Sequence, residues 1–356
     1  MKTVDTLMLG ASQVVTVSGG RAGPARGPKA MNQLGVIEDG ALAIHRGRVV
    51  GIGTSNEITR QFRGNRRLFC RGRAVLPGFV DPHTHPVFAR WREAEFALRA
   101  RGADYEEILA AGGGIHASAE ATRAASVGEL VEGITRRLDR FLLHGTTLVE
   151  CKSGYGLTHE SELRSLRALG RAAGKHPIQI VRTFLGAHVV PKEWSHDRAG
   201  YVREITERML PEVAEKKLAE FCDVFVERGA FSVPEATTIL RKARQLGLRA
   251  KVHADQFRDG GGALLAARMK AVSVEHVDAT RRKGIEALRK AGVVPVLLPT
   301  ASLFTGLKHL PVGRKLIDAG LPVSLGRDCH PGTSPAETQM VVASMACALM
   351  GLTRVE

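Results

Sequence analysis

The chain has 356 residues, 51 Lys+Arg against 36 Asp+Glu, 44% hydrophobic residues and 24% charged residues. This is close to the globular average and excludes collagen-like and disordered chains, and the length suits about two domains of ~150 residues or one barrel that absorbs most of it. The longest charge-free apolar stretch near the end, residues 340–352, is too short for the ~20 residues that cross a bilayer, so no membrane association is expected.

Taken in chain order, residues 1–72 read as a small β domain. Short strands at 6–17 and 41–52 are broken by Gly-rich turns, with no convincing helix, and residues 19–29, rich in Gly, Arg and Pro, read as a solvent-facing loop. From residue 73 onward, β-branched runs end in polar residues and alternate with helical spacing. The eight runs are 73–80, 146–150, 178–184, 223–227, 248–253, 271–276, 293–298 and 322–326. Helical patterns fall between them at 129–143, 160–173, 201–219, 234–246, 263–269 and 281–290. Strands that alternate with helices pair in parallel, and eight such units close as a (β/α)8 TIM-like barrel over 73–356, an α/β fold. An open doubly wound sheet is the alternative. Five scattered cysteines without a CxxC pair favour a reducing cytoplasm over a disulfide framework. Residues 1–17 are interrupted by Asp5 and Gln13 and lead to no cleavage site, which argues against a secretory leader.

Function in such barrels collects where strands end at the C-terminal face. The first run ends in Asp81-Pro-His83-Thr-His85, the fifth in His253-Ala-Asp255, the sixth in Glu275-His276 and the eighth in Arg327-Asp328-Cys329-His330. Histidines spaced i, i+2 on a strand share a face. Two imidazoles from one strand, a third from strand five and a carboxylate from strand eight make a mixed nitrogen and oxygen donor set that suits Zn²⁺ or Fe²⁺.

The segment PGFVDPHTHPVF at 77–88 resembles the signature of the amidohydrolase superfamily. Tyr105-Glu-Glu-Ile, Gly112-Gly-Gly-Ile115, KSGYGL at 152–157, FLGAH at 184–188 and HADQF at 253–257 are similar to the imidazolonepropionases of histidine degradation. The resemblance extends over the whole chain. It implies a metal-dependent hydrolase barrel with a small N-terminal β-sandwich domain, and one Zn²⁺ or Fe²⁺/Fe³⁺ that activates water to open the ring of 4-imidazolone-5-propanoate to N-formimidoyl-L-glutamate. By the same resemblance His83, His85, His253 and Asp328 hold the metal, and His276 is the base or orienting partner. Asp328 also passes a proton to the leaving nitrogen, and Arg92, Tyr105, Tyr155 and His188 contact the substrate. Glu227-Arg228 stands at the end of strand four instead of a carbamylatable lysine, which favours one metal over two.

Three departures bear on this expectation. Gln256 stands where a Glu is expected; an amide can orient a substrate but cannot shuttle a proton, which weighs against deamination. His330 replaces an Asn in the DCHPG turn and could perturb Asp328 or add a ligand. Arg90 and Trp91 enlarge the loop before Arg92. The resemblance also implies some 50 further residues after the apolar stretch 340–352, where this chain stops at Glu356. That suggests either a truncated reading frame or a partner, such as the second copy of a homodimer, covering the β domain. Another mononuclear amidohydrolase, a deaminase or lactamase, and an inactive truncated remnant that still binds metal are the alternatives. The net charge of +15 raises nucleic-acid binding, but the basic pairs Arg136-Arg137, Lys216-Lys217 and Arg281 to Lys283 are dispersed over expected outer helices without a binding motif. They read as a solvated surface that helps attract a small anionic substrate.

Overall fold

A computed structural model of the protein describes residues 1–18, 23–103, 107–108, 113–306 and 313–356. Two compact units emerge, Met1–Gly78 with Val355–Glu356, and Phe79–Arg354.

In the first unit, β1 (Lys2–Val15), β2 (Val36–His45), β3 (Arg48–Thr54), β4 (Phe62–Phe69) and β5 (Ala74–Val75) make a single five-stranded sheet. β1, β2 and β3 are antiparallel neighbours, whereas β4 and β5 lie parallel to β1 along its other edge. Val4, Leu7 and Leu9 of β1 pack with Ala41, Ala43, Ile58 and Phe62. Ile58 comes from a helix, Ser55–Gln61, and a shorter helix spans Gly27–Met31. Both correct the expectation of a helix-free β domain, and the second also replaces the end of the expected loop. The signal for the first was in the sequence. Thr54 Oγ1 accepts from Glu57 N at 3.3 Å while Glu57 Oε2 accepts from Thr54 N at 2.8 Å, a reciprocal capping box. β4 was also not expected, because Arg63, Arg66 and Arg67 obscure its alternation; they suit the charged edge strand it forms.

The second unit is an eight-stranded parallel barrel of β6 (Phe79–Thr84), β7 (Thr146–Lys152), β8 (Gln179–Ala187), β9 (Phe221–Val226), β10 (Arg249–Ala254), β11 (Ser273–His276), β12 (Val294–Leu297) and β13 (Ser324–Leu325), each paired with its neighbour in chain order. The ends meet where Asp328 N donates to His83 O and His85 N donates to Cys329 O, each at 3.0 Å. Seven of the eight strand runs lie where the sequence places them. Residues 73–80 are the exception: Ala74–Val75 pairs with β1, and the barrel strand starts at Phe79, after Leu76-Pro77-Gly78. Pro77 has no N–H to give a ladder, so a continuous strand through it is disfavoured.

Helices Val127–Leu143, His159–Ala173, Val233–Gln245, Gly262–Met269 and Arg282–Ala291 lie between strands near their expected bounds. The single helix expected at 201–219 is instead α over Arg198–Arg203, π over Glu204–Met209 and α again over Leu210–Glu215. Pro211 cannot donate to the carbonyl one turn back, and the wider π turn accommodates that gap. Among the described residues no helix is long and apolar enough to cross a membrane.

Candidate metal centre and active site

Side chains alternate along a strand, so one phase of each barrel strand faces the interior. On β6 that phase carries Asp81 and His83, with His85 just beyond; on β10 it carries Lys251 and His253. At the upper rim four donor atoms converge. His83 Nε2 lies 3.2 Å from His85 Nε2, and His253 Nε2 lies 3.3 Å from His85 Nε2. Asp328 Oδ1 is 3.3 Å from both His83 Nε2 and His85 Nε2. Donors held ~2.1 Å from a common centre at tetrahedral angles stand ~3.4 Å apart, so these spacings fit one ion.

The chemistry of the cluster makes the same demand. Burial first, then the Lys152 ammonium and neighbouring imidazoles, press His83 well below the usual imidazole range, and burial does the same to His85 and His253. All three imidazoles are therefore neutral at pH 7, the form in which a ring nitrogen can donate a lone pair to a metal. Asp328 Oδ1 is buried without a hydrogen-bond partner, an oxygen that a cation would satisfy. Asp223 Oδ2 stands 2.9 Å from His253 Nδ1, which keeps the proton there and turns the Nε2 lone pair to the centre.

His276 ends β11, and by alternation it should point outward with its neighbour Ala254. Its φ of 69°, followed by 57° at Val277, re-aims the ring instead, to 5.5 Å from the His253 ring and 5.9 Å from the His83 ring. Asp328 and Asp255 also take left-handed φ, 53° and 51°. Such backbone in non-glycine residues costs energy and gathers at functional sites. Burial lowers the His276 imidazole despite Asp328, and Asp278 Oδ2 is 3.9 Å from its Nδ1. Burial pushes the Asp278 carboxyl up to about 8.

A cavity opens over this cluster and is lined by His85, Arg92, Tyr155, His188, Gln256 and His276, among others. Arg92 Nη1 donates to Ser118 Oγ at 2.9 Å, and its Nε is 3.2 Å from Glu95 Oε2. His188 stacks on His85 with ring centroids 5.2 Å apart, and the Tyr155 ring lies 5.3 Å from His188. Gln256 is buried in the wall. Tyr105 lies outside the described residues. His330 also lines the cavity, but its Nδ1 accepts from Gly332 N at 3.2 Å and its Nε2 stands 3.0 Å from Thr333 Oγ1. Both ring nitrogens are engaged within the turn, so it is not placed to add a ligand. The loop of Arg90 and Trp91 is braced from outside. Arg137 donates to Pro86 O and Phe88 O and lies 3.4 Å over the Phe88 ring, which in turn meets Trp91 at 4.7 Å. Arg137 is thus buried, a correction to its placement on the solvated surface.

Below the cluster lies a layer of buried charge that the motif reading missed. Lys152 Nζ donates to Glu150 Oε1 at 2.7 Å and to Asp223 Oδ2 at 2.8 Å, while Lys251 Nζ is 2.8 Å from Glu275 Oε1. Burial works against the Lys152 charge, but Asp223 and Glu150 raise the ammonium well above its usual range. The available signal was parity. These residues share the i, i+2 phase of the histidines, and charged residues inside an apolar strand run point to a polar barrel interior.

The amidohydrolase family model matches residues 74–350. Imidazolonepropionase of Geobacillus kaustophilus is 46% identical over 350 residues, covering 97% of this chain and 82% of the relative. That of Symbiobacterium thermophilum is 47% identical over 356 residues, covering 99% and 83%. Among solved structures, 5-methylcytosine deaminase from Klebsiella pneumoniae superposes with TM-score 0.69 at 13% identity, covering 97% of this chain and 81% of its own. A zinc-bound adenosine deaminase from Xanthomonas campestris gives TM-score 0.68 at 17% identity, covering 98% and 74%. At these identities the structural likeness speaks to the fold alone.

Proposed function

Because the chain belongs to the amidohydrolase family, with imidazolonepropionases as its relatives at nearly full coverage, we propose that it hydrolyses the cyclic amide of 4-imidazolone-5-propanoate to N-formimidoyl-L-glutamate. The carrying observation is that three of the four clustered donors, His85, His253 and Asp328, line the same cavity as the Arg92 guanidinium, with His83 buried against them. A divalent ion there supplies Lewis acidity and makes water nucleophilic at neutral pH.

The protein's own groups do the rest. His276, neutral and re-aimed into the cavity, takes the proton from the attacking water. The ring carbonyl carbon gains a C–O bond, its C–N bond breaks, and the proton passes through Asp328 to the leaving nitrogen. Arg92, held by Ser118 and Glu95, binds the propanoate with its fork of donors. Tyr155 and His188 orient the ring, and the Gln256 amide orients without carrying a proton, which disfavours deamination.

The nitrogen and oxygen donor set suits Zn²⁺ or Fe²⁺/Fe³⁺, one per chain. A second donor group, Asp223, His253 and Glu275, already has Lys152 and Lys251 against its carboxylates, which supports single occupancy. Free thiols at Cys70, Cys151, Cys222, Cys329 and Cys347 support a reducing, cytoplasmic setting.

The test is a coupled assay in which urocanase generates the substrate in place. Formimidoylglutamate is expected to form above the spontaneous background, to stop on chelation and to resume with Zn²⁺ or Fe²⁺. Soluble, metal-loaded protein that gives no product refutes the assignment. In the same assay Arg92→Ala is expected to raise KM about 10- to 100-fold with kcat much less affected, the loss of a charged hydrogen bond of ~1.5–3 kcal/mol. An unchanged KM moves the carboxylate site away from Arg92.

A further inference from the structure

The loop at 153–157 carries Tyr155, and its backbone converges on one buried carboxylate outside the cavity. Glu162, fully buried in the first turn of helix His159–Ala173, accepts from Gly154 N at 3.0 Å, from Gly156 N at 2.7 Å and from Leu157 N at 2.8 Å. Ser153 also hydrogen-bonds to it through its side chain, and Ser153 Oγ accepts from Leu185 N of β8 at 3.0 Å. From the other side Tyr201 Oη lies 3.2 Å from Leu157 O and 2.8 Å from Gly186 O. The loop is thus tied to the end of β8, just before His188.

Its two glycines are required by this packing. Gly154 has φ +112°, and a Cβ there would meet His188 Nδ1 at 3.0 Å; a Cβ on Gly156 would meet Glu162 N at 2.6 Å. The carbonyl of Gly154 then faces His188 Nδ1 at 3.0 Å. A carbonyl only accepts, so Nδ1 carries the hydrogen and Nε2 is left as an acceptor.

We propose that Glu162 is a positioning residue for substrate recognition: by gathering the backbone N–H groups of residues 154, 156 and 157 it aims the Gly154 carbonyl, which fixes His188 in the Nδ1–H tautomer and Tyr155 against it. His188 Nε2 then presents a lone pair to an N–H of the substrate ring, and a substrate lacking that N–H loses the contact. This assignment rests on the cyclic-amide reading for its kinetic consequence, but not for the tautomer itself.

The test uses the metal-loaded full chain with Glu162→Ala, Glu162→Gln and Tyr201→Phe. Glu162→Gln keeps shape and one acceptor oxygen, and Tyr201→Phe removes only a hydroxyl, so both guard against a failure of the alanine variant to fold. Metal content is expected to stay at the wild-type level. KM is expected to rise at least 10-fold in Glu162→Ala and less in the other two, with kcat falling no more than about threefold. In parallel, ¹⁵N-labelled histidine spectra, with the His188 signals assigned from His188→Gln, are expected to show one Nδ1–H tautomer in the wild type and a mixture in Glu162→Ala or Glu162→Gln. An unchanged tautomer in both Glu162 variants overturns the proposal, as does a KM increase that tracks loss of metal. If the wild type does not turn over imidazolonepropionate, the substrate reading fails while the tautomer comparison still decides the role of Glu162.

Discussion

His253→Ala is expected to lose bound metal and hydrolysis together: occupancy by elemental analysis falls from about one ion per chain to below ~0.1, and turnover drops by at least ~10³-fold. The argument is geometric. His253 is one of four donors whose spacing fits a single ion, and an alanine leaves three donors and a gap opening toward Asp223. Lys152 remains against Asp223 at 2.8 Å, so the freed carboxylate is already engaged and is poorly placed to substitute. Asp223→Asn is the graded companion. It keeps the imidazole but weakens the group that holds its Nδ1 proton, and a ~10- to 100-fold loss of metal affinity is the usual scale for such a partner. Full metal stoichiometry in His253→Ala would remove this histidine from the ligand set.

Those donors were legible in the sequence because the i, i+2 spacing of His83 and His85 and the strand-end positions of His253 and Asp328 follow from the barrel itself. Strand parity also carries the buried charges Glu150, Lys152, Asp223, Lys251 and Glu275, but they lie inside the strand runs, whereas the motifs that announce the donors lie at or past the strand ends. His276 shows the reverse case. Strand parity alone points it outward, and only the left-handed backbone at His276 and Val277, which no residue type announces here, brings it to the centre. Glu162 was hidden for another reason: it lies on a helix, and its role depends on the conformation of a loop that the glycines permit but do not specify. In the small sheet, β4 was obscured because an edge strand tolerates arginines on both phases. The (β/α)8 order survived these gaps because seven of the strands alternate cleanly with helices.

The second large effect concerns how the barrel closes. Arg327 and Asp81 are fully buried, and Arg327 Nε donates to Asp81 Oδ2 at 2.5 Å, joining the last strand region to the first. The same carboxylate accepts from Arg327 N and from His83 N through Oδ1, each at 3.3 Å. Arg327 Nη1 reaches Glu337 O at 2.7 Å, and the guanidinium lies 3.7 Å over the Phe141 ring. Burial raises the Asp81 carboxyl, and Arg327 opposes that shift. Removing one member leaves the other buried and unpaired, so Arg327→Met is expected to destabilise the fold by ~3–5 kcal/mol in urea unfolding. Asp81→Asn should cost less, since an amide still accepts from backbone N–H. The pair stands directly beside the metal donors, with His83 two residues after Asp81 and Asp328 next to Arg327. Metal affinity is therefore expected to fall in Arg327→Met even below its unfolding midpoint. Replacing both residues by apolar ones of similar volume should be less damaging than Arg327→Met alone, because no charge is stranded. If Arg327→Met lies within ~1 kcal/mol of the wild type, the pair does not close the barrel, and the two backbone hydrogen bonds between residues 83–85 and 328–329 must suffice.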